Sequence, residues 1–222
     1  MTMDVRGIRK AYGKKQVLTD VSFMVQGGQC VGILGGNGSG KSTLFSILAG
    51  VRRADSGSFL YGETELLRYP GRIPEVIGYV PQTDPLMEEL SAWDNLRMWH
   101  DKRTLQRELA EGALALLEID GFLKTPVRKL SGGMKKRLSI ACAVAARPGI
   151  LILDEPSAAL DLVCKETLIR YLAAYKKAGG IVVLSTHDVQ DLTICDECFV
   201  LKEGCLRPYV YDGDFHALAE AF

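Results

Sequence analysis

An α/β fold with a mostly parallel central sheet, built around a phosphate-binding loop, is predicted by three observations. The run Gly35-Gly36-Asn37-Gly38-Ser39-Gly40-Lys41-Ser42-Thr43 matches the pattern G-x-x-x-x-G-K-[ST] without a gap. The apolar run Cys30–Leu34 before it reads as a buried strand, and residues 44–49 after it read as a helix, which is the strand–loop–helix setting the loop requires. Far downstream, residues 150–153 form a continuous apolar run suited to a strand covered on both faces, and the acidic pair Asp154-Glu155 closes it.

Each element follows from local pattern. Residues 4–8 and 17–25 alternate apolar and polar residues and read as antiparallel strands, an N-terminal β subdomain. Gly27-Gly28 turns the chain into the strand before the phosphate loop. Asp55-Ser56-Gly57 is a turn into the strand at 58–61, and a further short strand spans Ile77–Val80 and ends at Pro81-Gln82. The middle changes character. Ser91 with Asp94 resembles a capping box and should open a helix running through Trp99. Leu105, Leu109, Ala113, Leu116 and Leu117 recur at helical spacing and predict one second amphipathic helix, and residues 135–146 predict a third. Residues 83–146 thus read as an α-helical subdomain inserted into a core of residues 1–82 and 147–222, within a single domain. A helix over 165–177 should end at Gly179-Gly180, followed by a strand at Ile181–Ser185 and a hairpin around Lys202-Glu203-Gly204.

Composition narrows the function classes. The 222 residues are 47% hydrophobic, which is enough for a substantial core. Lys+Arg and Asp+Glu both number 27, and a chain without net charge is a poor candidate for nucleic-acid binding. No apolar run approaches the ~18–20 residues of a membrane span. The start, Met1-Thr2-Met3-Asp4-Val5-Arg6, lacks the apolar stretch of a signal peptide, so a soluble cytosolic protein is expected. The six cysteines fall mostly in apolar stretches and read as reduced structural thiols. Cys195-Asp196-Glu197-Cys198 has the C-x-x-C form but lacks a second ligand pair at zinc spacing.

The phosphate loop carries the chemistry. Glycines let the loop curl so that backbone N–H groups converge on one point, at a helix N-terminus that favours an anion. Lys41 is suited to the β- and γ-phosphates and the Ser42 hydroxyl to Mg²⁺. Asp154, at the carboxyl end of a parallel strand, is suited to holding Mg²⁺ through its water shell, and Glu155 to polarising an attacking water. Leu130-Ser131-Gly132-Gly133-Met134, at the start of a helix, is a second candidate anion site.

Taken in this order, the motifs resemble those of the ATP-binding cassette family, the nucleotide-binding subunits of ABC transporters, over essentially the whole chain. Residues 35–43 look like Walker A, Gln82 like the Q-loop, and residues 130–134 like the family signature. Residues 150–155 look like Walker B with its catalytic Glu155, residues 157–161 like the D-loop, and His187 like the switch histidine. Tyr12 stands where the family places an aromatic that stacks on adenine. The resemblance implies a P-loop NTPase core and an ATPase that uses ATP and Mg²⁺, with Gln82 sensing the metal and nucleotide. It also implies that Ser131 and Gly133 act on the ATP of a second cassette, in a homodimer or heterodimer, and that integral membrane permease subunits hold the chain on the cytoplasmic face. Met134 stands where the signature more often has Gln, a form similar to export-type cassettes. Trp93, Leu96, Met98 and Trp99 either pack the helical lobe or line a groove for a membrane subunit. An assembly-type ATPase of the same family that moves no substrate is the alternative; a small-molecule phosphoryl transferase would leave the signature and His187 unexplained.

Overall fold

The structure, a computed structural model, describes residues 1–158 and 160–211. The strands are β1 (Thr2–Tyr12), β2 (Lys15–Gln26), β3 (Cys30–Leu34), β4 (Ser56–Tyr61), β5 (Thr64–Glu65), β6 (Ile77–Val80), β7 (Ile150–Asp154), β8 (Ile181–Ser185), β9 (Glu197–Lys202) and β10 (Cys205–Tyr209). The α-helices are α1 (Lys41–Leu48), α2 (Ile73–Val76), α3 (Ala92–Arg97), α4 (Lys102–Glu111), α5 (Ala113–Leu116), α6 (Gly132–Val144), α7 (Leu162–Lys177) and α8 (Val189–Leu192).

The strands form one sheet in the order β5-β4-β1-β2-β10-β9-β3-β8-β7-β6. Strands β9, β3, β8, β7 and β6 pair in parallel, whereas β1, β2, β4 and β5 form an antiparallel arm. The antiparallel hairpin β9–β10 joins the two parts through a single parallel pairing, Cys205 with Asp20. Crossover connections lie on both faces of the parallel strands, so β3, β7 and β8 are buried throughout, as continuous apolar runs require. In β2 only the inward residues Leu18, Val21, Phe23 and Val25 are buried, the alternation of a half-exposed strand.

Alternate residues of the central strands feed opposite cores. Ile33, Ile150, Ile152 and Val183 pack with Leu44, Phe45, Ile47 and Leu48 of α1 and with the inner face of the antiparallel arm. Leu151, Leu153, Val182 and Leu184 pack against Leu138, Ile140 and Val144 of α6 and Leu168 and Leu172 of α7. Helices α3 to α5 join this second core through Leu96, Leu105 and Leu114, so the helical segment is seated on one face of the parallel sheet.

The expected long helix through 105–117 is broken into α4 and α5. Gly112 is extended (φ −112°, ψ −156°), and the carboxylate of Glu108 accepts the Ala113 N–H at 3.0 Å, capping α5. Glu108 is buried and takes a second hydrogen bond, from Arg147 Nε at 2.7 Å. The break turns the apolar face: Leu105, Leu114 and Leu117 are fully buried, while Leu116 is 46% exposed. Helix α3 ends at Arg97, two residues short of Trp99, and its capping box forms as expected, with Ser91 Oγ accepting the Asp94 N–H. Helix α6 begins three residues before Lys135, because Ser131 Oγ accepts the Met134 N–H and makes the signature glycines its first turn. Asp161 does the same for α7 by accepting the Cys164 N–H. The six cysteines are free thiols. Cys30 and Cys195 approach to 3.8 Å between sulfurs, beside Gly32, where a Cβ would meet the Cys195 and Cys198 sulfurs at 3.0 and 3.2 Å.

Glu108→Ala leaves the part-buried Ala113 N–H and the guanidinium groups of Arg147 and Arg107, the latter 3.3 Å from Glu108 Oε1, without their acceptor. It should lower the unfolding free energy by about 2–3 kcal/mol, read from the midpoint of a urea titration at unchanged m-value.

Candidate functional site

The register of the parallel strands assembles the site. Ile33 pairs with Ser185, Asp154 with Ser185, and Val80 with Leu153, so β3, β8, β7 and β6 end at one edge of the sheet. Their next residues are therefore neighbours: the phosphate loop after β3, Thr186-His187 after β8, Glu155 after β7 and Gln82 after β6. Ligands bind at this carboxyl edge in open α/β sheets, where the strand order changes direction.

The phosphate loop is a cradle with an open centre. Gly35 has φ +146°, and a Cβ there would lie 2.6 Å from the Leu201 carbonyl, so only glycine fits. Gly40 precedes helix α1 as its N-cap residue and offers no side-chain cap to the first N–H groups. Lys41 folds back under the loop, with its Nζ donating to the Gly35 carbonyl at 2.6 Å and lying 3.4 Å from His187 Nε2. Burial pulls the Lys41 ammonium below its ordinary pKa, against the opposite pull of Glu155 and Asp154. Ser39 Oγ is buried with no hydrogen-bond partner among the described residues. An orphaned hydroxyl beside free helix N–H groups and a buried cation fits a polyphosphate. Residues 37–43 line a cavity of about 450 Å³ together with Gln82 and Glu155.

The reactive side chains converge on Glu155. Its Oε2 accepts from Gln82 Nε2 at 3.0 Å, and its Oε1 lies 3.2 Å from His187 Nε2. The backbone at Glu155 is left-handed (φ +51°), uncommon for a residue with a side chain, and its N–H is held by Ser185 Oγ at 2.9 Å. The same Ser185 hydroxyl donates to Asp154 Oδ1 at 2.6 Å. Asp154 is buried and shares a cavity of about 1110 Å³ with Ser42, Thr43, Gln82 and Tyr12. Hydroxyl, amide and carboxylate oxygens are donors for a hard cation, so this set fits Mg²⁺ completed by phosphate oxygens and water. Among the described residues no group of three or more His, Cys, Asp or Glu could hold a metal ion on its own.

The remaining expected residues separate into two groups. Tyr12 is 41% exposed at the rim of the larger cavity, with Lys10 and Arg52 each 5.7 Å from its ring centroid. Ser131, Gly132 and Gly133 line neither the phosphate cavity nor the larger one. Gly133 packs on α7, where a Cβ would come within 2.6 Å of Cys164 Sγ, while Ser131 and Gly132 face solvent. Ala159, within the D-loop segment, lies outside the described residues. Of the aromatic cluster, Leu96 is buried and Trp93 packs on the core, whereas Met98 and Trp99 are 50% and 67% exposed.

Residues 18–158 match the model of the family described as ABC transporter. This chain belongs to the ABC transporter family. Nod factor export ATP-binding protein I of Ralstonia nicotianae is 34% identical, over 91% of this chain and 64% of that protein. Sulfate/thiosulfate import ATP-binding protein CysA of Bacillus cereus is 33% identical, over 96% and 66%. The chain thus spans just under two thirds of the length of these curated relatives. A solved dimeric ATP-binding cassette in a post-hydrolysis state, bound to ADP and Pi, superposes with a TM-score of 0.83 at 26% identity, over 96% of this chain and all of that one. Among the described residues of this cassette no helix is long and apolar enough to cross a membrane.

Sequence reasoning missed two contributors to the cassette's site. Ser185 looked like the last residue of a strand, yet it supports both Asp154 and Glu155. Lys136 looked like one more charge on an amphipathic helix. It is buried, and its Nζ donates to the Gln82 carbonyl at 3.2 Å and pairs with Asp84 at 2.7 Å, which ties the Gln82 segment to the signature helix. Its helical spacing from Gly133 and Ile140, three residues before and four after on one helix face, was the available signal.

Lys41→Ala removes a charge-assisted donor worth roughly 1.5–3 kcal/mol. The Kd for ATP, measured by titration calorimetry, should rise by about 10- to 150-fold.

Proposed function

We propose that this chain is the ATP-binding and ATP-hydrolysing subunit of a transporter, working as a head-to-tail pair of cassettes beneath separate membrane permease subunits. One observation carries the reading: at the mouth of the phosphate cradle, above Lys41, Gln82 donates to the Glu155 carboxylate and His187 Nε2 lies 3.2 Å from its other oxygen. ATP lays its phosphates in residues 35–43 and its base toward Tyr12. Ser42, Asp154 and Gln82 would hold Mg²⁺, which would supply positive charge against the phosphates. Glu155 orients a water in line with the γ-phosphate and takes up its proton as the new P–O bond forms and the bond to ADP breaks. Lys41 and His187 offset the charge on the transferred group.

The exposed Ser131-Gly132 edge supports action in trans. A second cassette presents this edge to the open side of the bound triphosphate, so two ATP molecules join two chains and hydrolysis releases them. The structural relative that holds ADP and Pi is itself a dimer, which supports this arrangement. Met98 and Trp99 give a permease helix an apolar seat next to the Gln82 segment, and residues 83–146 act as the lobe that links this seat to the signature. On this reading the chain works at the cytoplasmic face, held there by its permease. The Met134 form of the signature and the Nod factor relative support outward movement of the cargo, while CysA is an importer by name.

Glu155→Gln tests the reading. The variant should bind ATP with near-parental affinity, lose turnover by about 10²–10⁴, and elute as a dimer in ATP during size-exclusion chromatography. Parental turnover by a variant that stays monomeric in ATP overturns the proposal.

A further inference from the structure

Two turns at the site are tied together from beneath by one carboxylate. Ser157 lies two residues after Glu155, and Thr186 immediately precedes His187. Both hydroxyls donate to the same oxygen, Asp191 Oδ2, at 2.5 Å and 2.6 Å. All three side chains are buried, at 2–3% exposure, so no water competes for these bonds. Asp191 sits on the one-turn helix α8, whose N-cap Asp188 pairs with Lys165 of α7, and Thr186 Oγ1 in turn accepts the Asp188 N–H at 2.9 Å. Burial raises the Asp191 carboxyl above its ordinary pKa, and the two donors oppose that shift.

We infer that Asp191 is a positioning residue that holds the Glu155 turn and the His187 turn in register. The inference rests on the proposed hydrolysis. Glu155 is held in a left-handed conformation that its side chain disfavours, and such a backbone persists only where its surroundings over-determine it. Ser185 fixes the Glu155 N–H from the side of the sheet. Asp191 fixes the far end of the same turn through Ser157 and, through Thr186, the turn that carries His187. Without it, the two turns remain tied only at their strand ends through Ser185, and the 3.2 Å approach of His187 to Glu155 is loosened. Asp191 does not face the phosphate loop and lines none of the cavities around the nucleotide. Its removal therefore affects turnover rather than binding.

The test compares the unsubstituted chain with Asp191→Ala and Asp191→Asn in steady-state ATP hydrolysis. Asp191→Ala should lower kcat by about 10- to 100-fold, the scale of a small misplacement of reacting groups, with KM for ATP unchanged. Asp191→Asn keeps a side-chain oxygen for the two hydroxyls and should recover most of the loss. Should Asp191→Ala fail to fold, Ser157→Ala and Thr186→Val each remove one donor. Their combined effect on kcat should be smaller than the product of the single effects, because one turn is already uncoupled. Parental kcat in folded Asp191→Ala, equal losses in the Ala and Asn variants, or independent effects of Ser157→Ala and Thr186→Val overturn the inference while leaving the proposed function standing. Absence of turnover in the unsubstituted chain overturns both.

Discussion

Asp154 and Ser185 stand opposite each other on β7 and β8, and the Ser185 hydroxyl donates to the Asp154 carboxylate while also accepting the Glu155 N–H. The geometry of the site depends on this pairing. Side chains alternate along a strand, so a slip of one residue between β7 and β8 would exchange the two cores and turn Asp154 and Glu155 away from the phosphate loop. Burial prevents that slip. Leu151, Leu153, Val182 and Leu184 are matched to the helical face, and Ile150, Ile152, Ile181 and Val183 to the face of α1. The hydrophobic pattern of two strands thereby fixes the position of the Glu155 carboxylate.

The same register explains why residues distant in sequence meet at one place. The parallel strands β3, β8, β7 and β6 are joined by long crossovers, and each contributes the residue just past its carboxyl end. The antiparallel arm supplies Tyr12 from the end of β1 and closes the side of the cradle through Val17 and Leu18, which lie close against Gly40. The signature has no such place in the sheet. It opens α6 on the helical face, anchored by the close packing of Gly133 on Cys164, and presents Ser131 outward. On the proposed head-to-tail pairing, the phosphate cradle on one surface and the second anion-type helix start on another are complementary halves of one site.

Within the helical segment, buried charge rather than apolar pattern sets the details. Glu108 stops α4 by capping α5, and Lys136 holds the Gln82 carbonyl and Asp84 from the middle of α6. Both are long polar side chains that are buried although charged residues flank them in sequence. Each satisfies backbone groups that would otherwise be left unpaired, Glu108 at the break between α4 and α5 and Lys136 where the chain enters the lobe. Lys136 also gives a direct mechanical link between the signature helix and the Gln82 segment.

The phosphate loop, the buried strands, the C-terminal hairpin and the capping box at Ser91 could be read from the sequence because each depends on neighbours a few residues away. A glycine run must curl, an apolar run must be covered, and a serine ahead of a helix finds its own N–H groups. The order of the motifs also identified the family. Tertiary structure alone decided the break at Gly112, the support that Ser185 and Lys136 give to the site, and the junction of the Glu155 and His187 turns at Asp191. These depend on partners brought together by the fold, and periodicity carries no information about which buried carboxylate meets which hydroxyl. That pairing is settled only when the two cores close on the sheet and bring these groups within reach of one another.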